Sequence, residues 1–321
     1  MPRRLLFLFA TMATFAFAPH SVFASAAQNQ SAAMTTVHYR TVDVDGIKIF
    51  YREAGNPRNP VILLLHGFPT SSQMYRNLIP LLADRYYVVA PDYPGFGQSG
   101  MPSRAAFNYT FENLSRVIER FTETIKLTQY TLYMMDYGAP VGFRMAVRHP
   151  ERITALVVQN GNAYVDGLLD FWQPFRQYWA DNAAASREVL RGFLTLEGTI
   201  FQYTTGVRDV SLLSPDAWTT DQYQLDRAGN QEIQLDLFYD YRTNVDLYPV
   251  WQEYLRTHQP RTLVVWGKND PIFPAAGAEA FKRDLTRLEF HLLDTGHFAL
   301  ETHATQIALL MRRFLRRAPG S

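Results

Sequence analysis

Three residues capable of covalent chemistry stand far apart in the chain but in the same kind of place. Asp136 follows the apolar run Thr131 to Met135 and precedes Tyr137-Gly138-Ala139. Asp270 lies in Gly267-Lys268-Asn269-Asp270-Pro271, past the run Thr262 to Trp266. His297 lies in Asp294-Thr295-Gly296-His297-Phe298, past Leu288 to Leu293. A carboxylate at the first position can attack a saturated carbon and form an ester, which water must then hydrolyse. A histidine oriented by a second carboxylate supplies the base for that water. Blander roles exist for each residue alone. Asp136 suits a helix N-cap, Asp270 beside Pro271 suits an ordinary turn, and most of eight histidines are structural or surface residues. The joint order of nucleophile, acid and histidine, each at a strand end, is what favours chemistry.

Met134-Met135-Asp136-Tyr137-Gly138 occupies the strand-to-helix position of a nucleophile elbow, usually G-x-S-x-G. Met134 departs from the first glycine, while Gly138 and Ala139 supply the small residues after the turn. His66-Gly67-Phe68-Pro69 follows another apolar run. In this layout the backbone N–H groups of Phe68 and Tyr137 form an oxyanion hole. His66 is read as structural, holding that loop. Asp92 to Ser99 is a Gly-rich turn after the next strand. No His/Asp/Glu cluster has metal-ligand spacing, and no cofactor is expected.

These positions require strands that end together. Residues alternate around Asp45-Gly46, a strong hairpin signal. Val61 to Leu65, Tyr86 to Ala90, Thr131 to Met135 and Ala155 to Gln159 then read as buried strands. Helical patterns separate them at Met74 to Leu82, Phe111 to Ile125 (Thr110 as N-cap) and Gly138 to Arg148. The expected class is α/β, a mostly parallel sheet with helices on both faces. The rhythm breaks from Gly161 to about Trp251, where aromatic-rich helical stretches replace strands. It resumes with strands at Thr262 and Leu288 and a last helix near Thr305 to Leu315. A helical cap at 161–251 is therefore expected between two strands of a core at 37–160 and 252–317, over the strand C-termini.

Apolar residues make up 47% and charged residues 19%, which excludes global disorder. A net charge of +1, with no basic run, speaks against nucleic-acid binding. Arg3-Arg4, the apolar run Leu5 to Ala18 and Ala24-Ser25-Ala26 read as a signal peptide at 1–26, followed by a flexible tether at 27–36. Export to the periplasm or outside is expected, with no membrane span in the mature chain. The absence of cysteine fits either compartment. Nothing in the sequence fixes an oligomeric state.

With these residues in view, the chain resembles the α/β-hydrolase superfamily, in its epoxide hydrolase and haloalkane dehalogenase branch, over about Thr41 to Leu315. The motifs carrying the resemblance are His66 to Pro69, Asp92 to Ser99, Asp136 to Gly138, Asp270 and Gly296-His297. The resemblance implies an α/β-hydrolase fold with a cap and an aspartate nucleophile. In the epoxide hydrolases two cap tyrosines protonate the leaving oxygen, the second commonly in a Tyr-Arg-x-Asn pattern. Tyr241-Arg242-Thr243-Asn244 matches it. The early cap stretch Pro174-Phe175-Arg176-Gln177-Tyr178-Trp179 puts Phe175 where the first tyrosine belongs, with Tyr178 one turn later. In the dehalogenases N–H donors cradle the halide, commonly from a Trp after the nucleophile, where Tyr137 stands here. A cap Trp, Trp172 or Trp179, is the other source. The expected reaction is epoxide opening to a diol by Asp136, with Tyr241 and Tyr178 as proton donors and His297 activating water. Trp172, Phe175 and Trp179 are expected to line the pocket of a small apolar substrate. Haloalkane dehalogenation by the same triad, and a non-catalytic binding protein with a vestigial triad, are the alternatives.

Overall fold

The computed structural model describes Met1 and residues 36–316. The expected signal peptide and tether lie outside the described residues apart from Met1 and Thr36.

Alternation of apolar and polar residues in β1 (Val37–Val44) and β2 (Ile47–Ala54) makes an antiparallel hairpin. Its two-residue turn places Asp45 at φ 51° and Gly46 at φ 85°, as a type I′ turn requires. The continuous apolar runs become β3 (Val61–Leu65), β4 (Tyr87–Pro91), β5 (Tyr130–Met135), β6 (Ile153–Gln159), β7 (Thr262–Gly267) and β8 (Leu288–Leu293). The eight strands form one sheet in the order β1-β2-β4-β3-β5-β6-β7-β8, parallel from β4 onward. Successive residues serve opposite faces. Leu63, Leu65, Leu132, Met134, Val264 and Trp266 enter one core. Ile62, Leu64, Tyr133, Met135, Leu263 and Val265 enter the other. Each fully buried Leu or Val is worth about 1.5–3 kcal/mol, so the central strands are fixed from both sides.

The helices are α1 (Ile79–Leu82), α2 (Phe111–Thr124) and α3 (Gly138–Arg148), then six between β6 and β7, then α10 (Ala275–Ala280) and α11 (Ala299–Arg316). The six are α4 (Gln173–Asp181), α5 (Ala184–Leu190), α6 (Leu196–Thr204), α7 (Pro215–Leu225), α8 (Asn230–Asp240) and α9 (Arg242–His258). They form an insertion between strands that are neighbours in the sheet, called the cap below. Thr110 caps α2 by accepting from Asn113 N at 3.1 Å. The helix expected over Met74 to Leu82 is instead a 3₁₀ turn at Ser72–Tyr75 followed by α1. Pro80 explains the break, because proline disfavours helical backbone before it and suits a helix's first turn. The cap boundary expected after Trp251 falls inside α9, which runs on unbroken because Trp251, Tyr254 and Leu255 are all buried. Among the described residues no helix is long and apolar enough to cross a membrane.

Candidate active site

At the end of β5 the chain turns sharply into α3, and Asp136 takes a left-handed φ of 48°. Such a backbone costs of order 1–3 kcal/mol, so its neighbours must hold it. Asp136 N donates to Asn160 O at 3.2 Å, and Ala139 N donates to Asp136 O at 2.9 Å. A Cβ on Gly138 would stand 2.1 Å from Leu65 O, and one on Gly67 would stand 2.3 Å from Asp136 Cβ. Both glycines are therefore forced by the meeting of the β3 and β5 ends. Met134 is accommodated by a glycine one turn into the helix: a Cβ on Gly142 would lie 2.4 Å from Met134 Sδ.

The turn presents the Asp136 carboxylate to two loops. Phe68 N donates to Asp136 Oδ1 at 2.6 Å. His297 Nε2 lies 3.8 Å from Asp136 Oδ2 and takes no hydrogen bond from a protein atom. On its other side His297 Nδ1 bonds Asp270 Oδ2 at 2.7 Å. Asp270 is itself saturated with donors: Asn160 Nδ2 reaches Oδ2 at 2.8 Å and Ile272 N reaches Oδ1 at 2.8 Å. The three sequence-designated residues thus converge, all buried. His66 is neutral and structural. Burial pushes its pKa down to about 3, Nδ1 donates to Gly67 O at 2.9 Å, and Nε2 accepts from Tyr93 N at 3.2 Å.

Burial raises the Asp136 pKa to about 6, against the His297 charge and the Phe68 and Tyr137 N–H groups, which favour the anion. Burial also opposes the His297 cation, but the Asp270 charge and hydrogen bond, helped by the Asp136 charge, outweigh it and raise its pKa. Each of the two groups favours the charged form of the other across the 3.8 Å that separates them.

Above Asp136 lies a small cavity of about 30 Å³. Phe68, Tyr137, Trp172, Phe175 and Tyr241 line it, with Phe171, Phe193, Gln202, Phe238 and Ile272, which the sequence did not single out. Two expected residues are not there. Tyr178 sits three residues beyond Phe175, around α4 from the cavity. Its hydroxyl accepts from Arg187 Nη1 at 2.9 Å and faces an outer polar cleft. Trp179 lies behind the lining, its ring stacked on Tyr241 with centroids 6.0 Å apart. Neither Trp172 nor Trp179 offers its N–H: Trp172 Nε1 donates to Ile272 O and Trp179 Nε1 to Phe238 O, each at 2.7 Å. The second phenol at the cavity is that of Tyr137, whose buried hydroxyl has no hydrogen-bond partner among the described residues.

A model of the α/β hydrolase fold matches residues 60–304. The "Uncharacterized hydrolase YNR064C" of Saccharomyces cerevisiae is 47% identical over 268 residues, which is 82% of this chain and 92% of that protein. The chain belongs to the α/β-hydrolase family. A haloalkane dehalogenase of Mycobacterium marinum is 33% identical to the hydrolase over 190 residues, 56% of this chain and 61% of that one, so the match spans under two thirds of its length. The fold also superimposes on a crystal structure of a mutant haloalkane dehalogenase DatA from Agrobacterium tumefaciens C58. That comparison has a TM-score of 0.73 at 23% identity and covers 88% of the hydrolase and 97% of DatA.

Asn160 is the residue of this hydrolase that sequence reasoning missed. Its backbone O takes the Asp136 N–H, its Oδ1 takes Gly267 N at 3.0 Å, and its Nδ2 holds Asp270. It sits at φ 44°, a left-handed position that asparagine tolerates well. A single Asn after a predicted strand end is the only signal the sequence offers. Beside it, Gln159 Nε2 donates to His297 O at 3.2 Å.

Another buried acid, outside the triad, lies where the cap meets the core. Asp221 Oδ2 accepts from Tyr203 OH at 2.5 Å, and burial, opposed by the Tyr203 and Thr70 hydrogen bonds, raises its pKa to about 7. The unfolded value is about 3.9. Between these values the folded protein binds the extra proton, so stability from this group is fully present below about pH 4 and falls as pH rises through about 7. Asp221→Asn keeps an acceptor for Tyr203 and abolishes the titration. Thermal unfolding should find the variant more stable than wild type near pH 8, by on the order of 2 kcal/mol, with the gain shrinking towards pH 4. A gain of the same size at both pH values would assign the titration elsewhere.

Proposed function

We propose that the hydrolase opens small, largely apolar epoxides to diols through an ester on Asp136. The observation that carries this reading is the pair of protonated phenols, Tyr137 and Tyr241, lining the same cavity as the Asp136 carboxylate while the indole N–H groups of Trp172 and Trp179 are bound elsewhere. Burial first, then Tyr248 and Asp136, raise the Tyr241 pKa far above the phenol range. It therefore enters the reaction with its proton in place.

Asp136 Oδ2, outside the oxyanion hole, attacks a ring carbon. The carbon–oxygen bond breaks towards the ring oxygen, which takes the Tyr241 proton. Esterification removes the Asp136 charge that had helped to raise the His297 pKa. The imidazolium then releases its proton to solvent, to be taken back when the Asp136 anion returns, and the neutral imidazole is the base for the hydrolytic water. Water loses a proton to His297 Nε2 and attacks Asp136 Cγ, and the N–H groups of Phe68 and Tyr137 hold the oxyanion. Collapse expels the diol, which takes the His297 proton. The remaining proton of that water restores the Tyr241 phenol.

His297→Gln should stall the ester. Incubated with hexene oxide, it should carry the mass of a whole epoxide on the peptide containing Asp136. A label elsewhere, or none from either an epoxide or a bromoalkane, would sink the reading. A second reading, dehalogenation, is favoured by the dehalogenase relatives, and it predicts an alkyl adduct without halogen. Tyr241→Phe separates the two. A departing alkoxide needs the proton, so epoxide turnover should fall about a hundredfold or more, whereas a bromide needs none. Equal loss on both substrates would deny Tyr241 the role of acid.

A further inference from the structure

Apart from the reacting carboxylate and the two phenols, the cavity has one polar side chain. Gln202, on the cap helix α6, is buried and lines it. Its Nε2 makes a long bond to Gly198 O at 3.4 Å, and Oε1 takes no hydrogen bond from any described residue. The amide keeps access to the cavity among Phe171, Phe175, Phe193 and Phe238, so a guest that displaces water there without replacing its hydrogen bonds would cost on the order of 1–3 kcal/mol. Leu or Met would fill the same space without that cost.

Gln202 is also held still. The next residue, Tyr203, stacks on Phe298 with centroids 4.0 Å apart and is tied to Asp221. Just beyond the helix, Thr205 O lies 2.0 Å from where a Cβ on Gly296 would stand, and Asn269 Nδ2 donates to Gly206 O at 2.9 Å. The backbone that carries Gln202 is thereby fixed relative to the loops of His297 and Asp270, so the stretch of cavity its amide can reach is set before a substrate arrives.

We propose that Gln202 is a specificity-determining residue and that the natural substrate is a bifunctional electrophile. Its carbon skeleton is apolar, and an uncharged hydroxyl distant from the reacting carbon bonds Gln202. A hydroxyl suits the amide in both senses, donating to Oε1 and accepting from Nε2. Filling the amide's unused capacity makes a substrate lacking the group the poorer one. The substrate class rests on the epoxide reading, but the recognition can be tested without it.

The first measurement compares hexene oxide with its analogue bearing a terminal hydroxyl, in wild type and in Gln202→Met, as a ratio of kcat/KM values. Wild type should prefer the hydroxylated epoxide by about tenfold or more, and the variant should lose or invert that ratio. The second follows equilibrium binding of unreactive pentane and butanol through Trp172 fluorescence, with the same preference expected and the same loss. An unchanged preference in Gln202→Met overturns the inference. So does an equal fall on both epoxides with no change in ratio, because Gln202 would then act on the hydrolytic water or on the fold. If the alcohol preference appears and disappears as stated while no ester forms on Asp136, recognition by Gln202 stands and the epoxide chemistry falls. An ester without any preference gives the converse.

Discussion

Replacing Asp136 should lower turnover by about ten-thousandfold or more, because no other side chain at the cavity can form the ester. Two variants are needed, since the residue sits at φ 48°. Asp136→Ala removes the nucleophile but adds backbone strain. Asp136→Asn tolerates the left-handed conformation and can still accept from Phe68 N, so a loss shared by both belongs to the chemistry. The same carboxylate predicts an acid limb. It must be ionised to attack, and with its pKa raised to about 6, kcat/KM of the wild type should rise with pH through about 6 and then level off. The His297 charge lowers the Asp136 pKa. In His297→Gln the pH dependence of ester formation should therefore move to higher pH. A limb that stays in place would mean another group titrates.

The second large effect falls on the other chemical step. Asp270→Asn should leave ester formation nearly intact and slow ester hydrolysis by about a thousandfold or more. Every oxygen of this carboxylate faces a donor: His297 Nδ1 and Asn160 Nδ2 at Oδ2, and Ile272 N at Oδ1. An amide must therefore set its NH₂ against one of them. Turned towards His297, it donates to Nδ1, puts the imidazole proton on Nε2, and removes the lone pair that should accept from water. Rapid-mixing kinetics should show a burst of one product equivalent, or one ester per chain, followed by a slow steady state. A fall in the burst itself would place Asp270 in the first step.

The convergence of Asp136, Asp270 and His297 was legible because chemistry and topology coincide there. Parallel strands of one sheet end along one edge, and each residue follows an apolar run directly. The Tyr241 position was legible from a four-residue pattern. The α4 face was not. Pro174 opens this helix straight after a 3₁₀ turn at Asp170–Trp172, so sequence periodicity did not fix its rotation. A small error of phase adds Tyr178 and Trp179 to the cavity beside Phe175, which does line it. Gly142 was equally hidden, since its partner Met134 is set by packing between α3 and β5. Asn160 offers no pattern at all, because its role depends on three strands arriving at one point. In each of these cases the deciding term is tertiary.

The fastening of α6 to the loops around Asp270 and His297 turns a size limit into a fate. A guest too bulky for the cavity can gain room by wedging this helix outward, but the displacement drags Gly296 and Asn269 with it. Asp136, held by Phe68 N and by the turn from β5 into α3, has no hydrogen bond to α6 and keeps its aim. Such a molecule should be captured and then stranded as the ester, so oversized electrophiles are expected to act as mechanism-based inactivators rather than as poor binders.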